Sequence, residues 1–182
     1  MPLYLSQNQA QLIVQQARTD QPQETCGILL GVSETVHEII SVPNIAADPL
    51  HFYRLEDAAL AHALLQAETK GLSLVGFYHS HPNGDPIPSP TDVQQAYYPD
   101  AAYLIVGLRH AEPRLAAWKI HKGTVTPVDM VIGTLPNTSD QRDASLSQAQ
   151  KVAILLAALV AFAFMIILSL SLLPPAPVIP LP

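Results

Sequence analysis

The sequence predicts a mixed α/β head followed by a single membrane-spanning helix. Two observations lead to this prediction. Residues 1–132, the head, alternate between helical and extended hydrophobic patterns, whereas residues 152–173 carry no charge at all. Of the 182 residues, 49% are hydrophobic and 13% are charged, about half of the usual charged share. We therefore expect helices that cover a mixed or mostly antiparallel sheet in the head.

The first predicted helix begins near the N-terminus. Ser6 followed by Gln9 is typical of a capping box, in which each residue's side chain bonds to the other's backbone. Leu12, Ile13 and Ala17 then recur at helical spacing. These positions predict the face that this helix packs against the sheet.

A second helix is predicted over Glu56 to Lys70. Leu60, Leu64 and Leu65 form its expected apolar side, and Gly71 follows its end. A short third helix is expected from about Pro90.

Short apolar runs bounded by turn residues predict the strands. They are Cys26–Val32, Thr35–Val42, Leu72–His81, Ala102–Leu108, Leu115–His121 and Thr124–Ile132.

The C-terminal part of the chain predicts a membrane anchor. Twenty-two helical residues, Val152 to Leu173, would span about 33 Å, enough to cross a hydrocarbon core of about 30 Å. A buried core helix would show a polar stripe, and none is visible. Residues 133–151 read as a flexible polar linker and residues 174–182 as a proline-rich stub.

The charges beside this segment predict its orientation. Arg142 and Lys151 lie on the head side and no basic residue follows the apolar run, which favours a cytoplasmic head. The N-terminus lacks the basic-then-apolar pattern of a signal peptide, and the single cysteine, Cys26, agrees with a reducing compartment.

Composition also excludes several classes of protein. The net charge of −6 and the pI near 5.5 argue against nucleic-acid binding, which needs clustered Lys and Arg. One cysteine excludes an internal disulfide and an all-cysteine zinc site.

The residues that carry chemistry begin at the end of the third predicted strand. His79 and His81 are two apart, so they project from one face of the strand, in line with Val75 and Phe77. Pro82 ends the strand. Two imidazoles placed in this way could bind one metal ion.

The next helix offers a third ligand. Ser89 fits an N-cap, Pro90 the first helical position, and Asp92 the first turn. Two histidines and an aspartate with an open fourth position are typical of catalytic zinc. Asp85 is a rival ligand, although its place in a Gly-Asp-Pro loop better suits a turn.

Each of these features also has a purely structural interpretation. Two histidines at the end of a strand are common by chance, and Ser-Pro-Thr-Asp is by itself a good helix start. The remaining histidines are expected to be surface or core residues: His37, His51, His62, His110 and His121.

Glu24 is the candidate general base. It stands where the first helix gives way to an apolar strand. A carboxylate there is either a solvated turn residue or a group held near a site, and spacing alone favours the solvated turn.

Taken together, these residues resemble the signature of the JAMM (MPN-plus) metallopeptidases. That signature has a Glu, then His-Ser/Thr-His-Pro, about seven residues, and Ser-x-x-Asp. Here seven residues separate His81 from Ser89. Glu-x-Cys-Gly-x-Leu-x-Gly around Cys26, Tyr103–Leu108 and Ala117–Ile120 resemble the short prokaryotic members in particular. The resemblance covers about residues 3–130, and the membrane segment lies outside it.

The resemblance implies a cytidine-deaminase-like α/β fold and a role for each residue. His79, His81 and Asp92 would hold one Zn²⁺, Glu24 would act as general base, and Ser89 would donate to the oxyanion. The implied substrate is an isopeptide or peptide bond after the C-terminal glycine of a ubiquitin-like or sulfur-carrier protein. Cys26 would be a small buried residue rather than a nucleophile.

Three other functions remain open at this point. A zinc nucleoside deaminase would need Pro-Cys-x-x-Cys, which a chain with one cysteine lacks. A catalytically silent, membrane-tethered module could bind a ubiquitin-like partner. A peptidase of this type could instead act on small peptides or on a cysteine adduct of a carrier protein.

Overall fold

A computed structural model of the chain describes residues 2–133 and, within a later helical segment, residues 153, 156, 157, 159–162, 164–166 and 168. The chain divides into two units, Met1–Pro136 and Asn137–Pro182.

The described part of the first unit contains three helices and eight strands. In chain order they are β1 (Leu3–Leu5), α1 (Gln7–Asp20), β2 (Cys26–Val32), β3 (Thr35–Val42), α2 (Asp57–Thr69), β4 (Ser73–His81), α3 (Pro90–Gln94), β5 (Ala102–Gly107), β6 (Arg114–His121), β7 (Thr124–Val128) and β8 (Met130–Ile132).

All eight strands form one mixed sheet in the order β7-β6-β5-β4-β2-β3-β1-β8. The central strand β4 pairs antiparallel with β2 and parallel with β5. Apolar clusters lie on both faces, one including Ile13 and Ala17 of α1 and the other Ala63 and Ala67 of α2. The predicted mixed sheet with helices packed against it is confirmed.

The last predicted strand, Thr124–Ile132, is in fact two strands. β7 pairs with β6 and β8 pairs with β1, at opposite ends of the strand order. Because Asp129 alone separates them, the two ends of the sheet must lie close together, and the sheet must curl. The backbone N–H of Leu3 donates to the Asp129 carbonyl at 2.8 Å, which fixes this junction.

Helix α1 starts at the predicted capping box. The Gln9 N–H donates to Ser6 Oγ at 3.2 Å, and the Ser6 N–H donates to Gln9 Oε1 at 2.8 Å. Ile13 and Ala17 are buried as expected, but Leu12 is exposed. The buried face of α1 includes Ala10 instead, which lies one turn before Ile13 and the partly buried Val14.

The apolar side predicted for α2 is partly wrong. Leu65 is 65% exposed, whereas Ala63 and Ala67 are buried. Small side chains bring this helix close to the sheet, and Leu60 and Leu64 pack at the edges of that contact. Leu65 lies two positions from Ala63, so it points away from the sheet.

A β-bulge breaks the predicted alignment of Val75 and Phe77. The register between β2 and β4 shifts between Leu29 and Leu30, which pair with Gly76 and Leu74 and so leave Val75 as an extra residue. Val75 therefore packs in the α1-side cluster and Phe77 in the α2-side cluster. Alternation resumes after the bulge, so Phe77, His79 and His81 share one face.

None of the helices in the described part of the chain is long and apolar enough to cross a membrane. Half of the predicted span at residues 152–173 lies outside the described residues, as do the linker from residue 134 onward and the stub at residues 174–182. The anchor therefore stays a prediction from the sequence.

Candidate metal centre and active site

Three side chains converge where β4 ends and α3 begins. The Nε2 atoms of His79 and His81 lie 3.1 Å apart. Oδ2 of Asp92 lies 3.5 Å from the first and 3.4 Å from the second. One donor atom from each residue falls within 4.8 Å of the others, so these residues could hold a metal ion together.

The spacing of the donors fits a tetrahedral zinc ion. Zinc bonds of about 2.0–2.1 Å at tetrahedral angles place neighbouring ligand atoms about 3.3–3.4 Å apart, close to the three distances found here. Two imidazole nitrogens and one carboxylate oxygen are also a donor set that zinc accepts. The residues present therefore fit the metal that the resemblance implies.

The strand and the helix hold these three side chains in different ways. His79 pairs with Cys26 of β2 on one side and Ile105 of β5 on the other, so its backbone is fixed within the sheet. Asp92 is fixed by a capping box: the Ser89 N–H donates to Asp92 Oδ2 at 2.6 Å, and the Asp92 N–H donates to Ser89 Oγ at 3.2 Å. The sequence predicted Ser89 as N-cap. The reciprocal bond, with Asp in the place where Glu or Gln is usual, was not expected.

Asp85 does not belong to this cluster of donor groups. Its backbone carbonyl accepts a hydrogen bond from Nδ1 of His81 at 2.9 Å, which leaves Nε2 of that ring free to face Asp92. Its carboxylate lies 2.8 Å from Arg109 Nη1 and 3.2 Å from His110 Nε2. His110, expected to be a surface or core histidine, is partly exposed and contacts a residue of the loop between β4 and α3.

Tyr53 is a site residue that sequence reasoning missed. Its ring stacks on that of His79, with centroids 4.2 Å apart and planes 19° apart. Burial raises the pKa of its hydroxyl well above the ordinary value. Tyr53 lies in an irregular loop with no periodic pattern, so nothing local in the sequence indicated this contact.

The ionisation of Asp92 and His79 suits metal binding. Burial by itself would raise the pKa of Asp92, but hydrogen bonds from His79 and His81 outweigh it and lower the pKa strongly, so the carboxylate is ionised. Burial lowers the pKa of His79 and favours its neutral form. Burial by itself would lower the pKa of His81, but hydrogen bonds to Asp92 and to the Asp85 carbonyl outweigh burial and raise the pKa.

Glu24 is buried, which corrects the solvated turn that spacing alone favoured. It is 7% exposed, its N–H donates to the Pro49 carbonyl at 2.8 Å, and its carbonyl accepts from Asn44 Nδ2 at 2.9 Å. Cys26 pairs antiparallel with His79, so Glu24, two residues earlier, lies across from His81. Burial raises its pKa to about 7, against the lowering effect of His81, which is a value suited to proton transfer near neutral pH.

Cys26 is fully buried, as expected. Its thiol donates to the Val42 carbonyl at 3.5 Å, and burial raises its pKa to about 12. A thiol in this state does not act as a nucleophile at neutral pH.

An aromatic groove of about 670 Å³ adjoins the centre through Tyr53. No local pattern indicated this groove, because its residues come from four separate segments. Its aromatic lining consists of Tyr53, Phe77, Tyr97, Tyr98 and Tyr103.

The family described as prokaryotic homologs of the JAB domain matches residues 6–121. The chain belongs to this family. The resemblance to JAMM/MPN proteins drawn from the sequence is therefore confirmed, and the mixed sheet with its helices is a JAB/MPN fold.

Several named proteins are similar to this JAB-domain chain. A desampylase of Haloferax volcanii is 44% identical over 91 residues, which cover 49% of this chain and 66% of that protein. A probable TtuB-protein conjugate cleaving protease of Thermus thermophilus is 41% identical over 47% of this chain and 57% of its own length. The match thus spans less than two thirds of each of these two relatives. A CysO-cysteine peptidase of Mycobacterium tuberculosis is 36% identical over 65% of this chain and 84% of its own.

Two solved structures are also similar to this JAB-domain chain. A protein from Desulfitobacterium hafniense superimposes with a TM-score of 0.67 at 24% identity, covering 73% of this chain and 94% of that one. A protein from Salinibacter ruber gives a TM-score of 0.54 at 27% identity, with 74% and 96% covered. At 24% identity, the likeness to the Desulfitobacterium hafniense protein is evidence for the fold alone.

Proposed function

We propose that the protein is a zinc-dependent hydrolase that cleaves peptide or isopeptide bonds after the C-terminal glycine of ubiquitin-like or sulfur-carrier proteins. The observation that carries the proposal is the convergence of His79, His81 and Asp92 donor atoms at 3.1–3.5 Å, with Glu24 buried across from His81. The relatives named as conjugate-cleaving proteases and peptidases support this class of reaction.

His79, His81 and Asp92 would hold the metal. A zinc ion there would make water nucleophilic near neutral pH and polarise the scissile carbonyl. Three protein ligands would leave the fourth position of a tetrahedral zinc ion to water and substrate, as in catalytic zinc sites.

Glu24 would move the proton. Its carboxylate takes a proton from the attacking water, whose oxygen forms the new bond to the carbonyl carbon. The carbon–nitrogen bond then breaks, and Glu24 returns the proton to the leaving amine. The products are a carboxylate at the terminal glycine and a free amine.

Ser89 would stabilise the oxyanion that forms on the carbonyl. Its Oγ accepts from the Asp92 N–H and keeps its own hydrogen available to donate. Ser89→Ala is expected to lower kcat by about 10²–10³-fold, the usual cost of losing one such donor, and to destabilise the fold by about 1 kcal/mol through the lost cap. Steady-state kinetics and thermal melting measure the two effects.

The other capping box supplies a matched control for this prediction. Ser6→Ala removes the equivalent cap of α1 and is expected to cost similar stability with kcat unchanged. Ser89→Thr keeps a hydroxyl and should retain much of the activity. An Ser89→Ala enzyme that is no slower than Ser6→Ala would contradict the role of Ser89.

A direct assay tests the proposed function. The full-length chain, loaded with zinc, is incubated with a carrier protein whose terminal glycine is joined either to a lysine side chain or to cysteine, and mass spectrometry identifies the products. We expect cleavage directly after the glycine. Preference for the cysteine adduct would favour the alternative suggested by the CysO-cysteine peptidase, and no cleavage of either conjugate would leave the silent binding module.

We also propose that the head lies in the cytoplasm and is tethered by residues 152–173. The support is the apolar run itself and the placement of Arg142 and Lys151 before it. In intact cells that express the chain with an N-terminal tag, added protease should leave the tag uncut until detergent is present. Loss of the tag without detergent would contradict this orientation.

A further inference from the structure

We propose that Arg109 is a positioning residue for the metal centre. Arg109 holds the Asp85 carboxylate and thereby fixes the Asp85 carbonyl against Nδ1 of His81. The His81 ring held in this way sets the affinity for zinc. This inference rests on the proposed function, because it needs a metal bound by His79, His81 and Asp92.

His81 depends on its loop more than His79 does. The His79 side chain is 1% exposed and stacked on Tyr53, whereas the His81 side chain is 13% exposed and stands at the last residue of β4. A ligating imidazole must offer a lone pair on one nitrogen, and a bond from the other nitrogen fixes that tautomer and the ring plane. For His81 this bond goes to the Asp85 carbonyl at 2.9 Å.

Arg109 holds the loop that presents this carbonyl. Its Nη1 lies 2.8 Å from Asp85 Oδ2, its Nε donates to the Asn83 carbonyl at 3.4 Å, and its backbone N–H donates to the Gly84 carbonyl at 3.3 Å. One residue thus contacts three consecutive loop residues. His110 Nε2 lies 3.2 Å from the other Asp85 oxygen.

The topology explains why a residue so far along the chain can do this. β4 and β5 are parallel neighbours, so the loop after β4 and the segment after β5 leave the sheet at the same edge. The loop packs directly on the end of β5, since a Cβ at Gly107 would lie 2.6 Å from Pro86 Cδ. Arg109 follows Gly107 by two residues and reaches back over the loop.

The contact contributes to orientation rather than to overall stability. The Arg109 side chain is 57% exposed and that of Asp85 31%, and a pair so accessible to water contributes little to the stability of the fold. Its loss should therefore free the loop and the His81 ring while leaving the sheet intact.

The test measures zinc affinity in the full-length chain by competition with a chromogenic chelator. Arg109→Met is expected to bind zinc about tenfold more weakly than the wild type, at the lower end of the range for losing a group that orients a ligand. Asp85→Asn should weaken binding in the same direction, and Arg109→Lys should recover part of the loss. The double variant should be little worse than Arg109→Met, because both remove one contact.

Lys70→Met is the matched control. It breaks another pair with a 2.8 Å contact, Lys70 with Glu38, which joins the residue after α2 to β3 away from the centre. We expect it to leave zinc affinity unchanged and to melt like Arg109→Met in the metal-free state. With cobalt in place of zinc, the visible absorption spectrum at saturation should change in Arg109→Met and stay as in the wild type in Lys70→Met.

Zinc affinity of Arg109→Met and Asp85→Asn within twofold of a zinc-binding wild type would overturn this inference and leave the proposed function standing. A wild type that binds no zinc would instead overturn the proposed function. If Arg109→Met is insoluble, Asp85→Asn and Arg109→Lys decide the question by the same measurement.

Discussion

Glu24→Gln is expected to keep the protein's zinc and to slow cleavage by about 10²–10⁴-fold, the usual contribution of a positioned general base. Glutamine has the same shape as the buried glutamate but cannot accept the proton of the attacking water. The loss should fall on kcat, with KM changed little. Single-turnover kinetics on a glycine-linked conjugate, together with metal analysis of the same sample, measure both quantities.

The fold of this variant can be checked independently. Burial raises the pKa of Glu24 from 4.5 to about 7. Above pH 4.5 the unfolded chain therefore loses a proton that the folded metal-free chain retains, and this group's contribution to stability is lost as the pH rises towards 7. Glutamine does not ionise, so metal-free Glu24→Gln should melt at or above the wild-type temperature at pH 7.

Glu34→Gln is a suitable control, because Glu34 lies in the turn at the opposite end of β2. It should cleave at the wild-type rate. Near-wild-type turnover by Glu24→Gln would mean that another group moves the proton.

His81→Ala is expected to abolish zinc binding, and cleavage with it. Removing one of three ligands leaves two donors, fewer than the three protein ligands of known catalytic zinc sites. Equilibrium dialysis with zinc, followed by the conjugate assay, measures the two losses. His62→Ala, which alters an exposed histidine of α2, should keep a full equivalent of zinc.

If Glu24 is the general base and His81 is a metal ligand, Glu24→Gln and His81→Ala must differ in their zinc content. Glu24→Gln should hold zinc without turnover, whereas His81→Ala should hold none. Equal loss of metal in both would show that Glu24 is a ligand rather than a base.

Local pattern predicted much of the sheet and the positions of the three candidate donor residues. The bounds of β2 and β3 agree with their predicted runs, because apolar residues end there at a polar turn. The end of β4 at His81 and the start of α3 after Ser89 also follow local rules, a proline stop and an N-cap. These two boundaries bring the donor atoms of His79, His81 and Asp92 together.

Features that depend on distant partners were missed. β1 has three residues, too few for a pattern, and is held by parallel pairing with β3 and β8. The bulge that turns Val75 to the other face arises from the register against β2. Neither can be read from neighbouring residues.

The difference between local pattern and distant contacts also explains which residues of the site were predicted and which were missed. Spacing brought His79, His81 and Asp92 together as candidates, since all three lie at element ends. The burial of Glu24 results from a loop that closes over it through the Pro49 carbonyl. The stacking of Tyr53 and the reach of Arg109 likewise depend on contacts between segments far apart in sequence.

Anomalous diffraction at the zinc absorption edge, from crystals of the zinc-loaded protein, shows whether His79, His81 and Asp92 bind one zinc ion together. We expect one strong peak about 2.0–2.1 Å from Nε2 of His79, Nε2 of His81 and a carboxylate oxygen of Asp92. A zinc-loaded protein with no peak among these three atoms, or with its zinc bound at Asp85 and His110, would contradict this expectation.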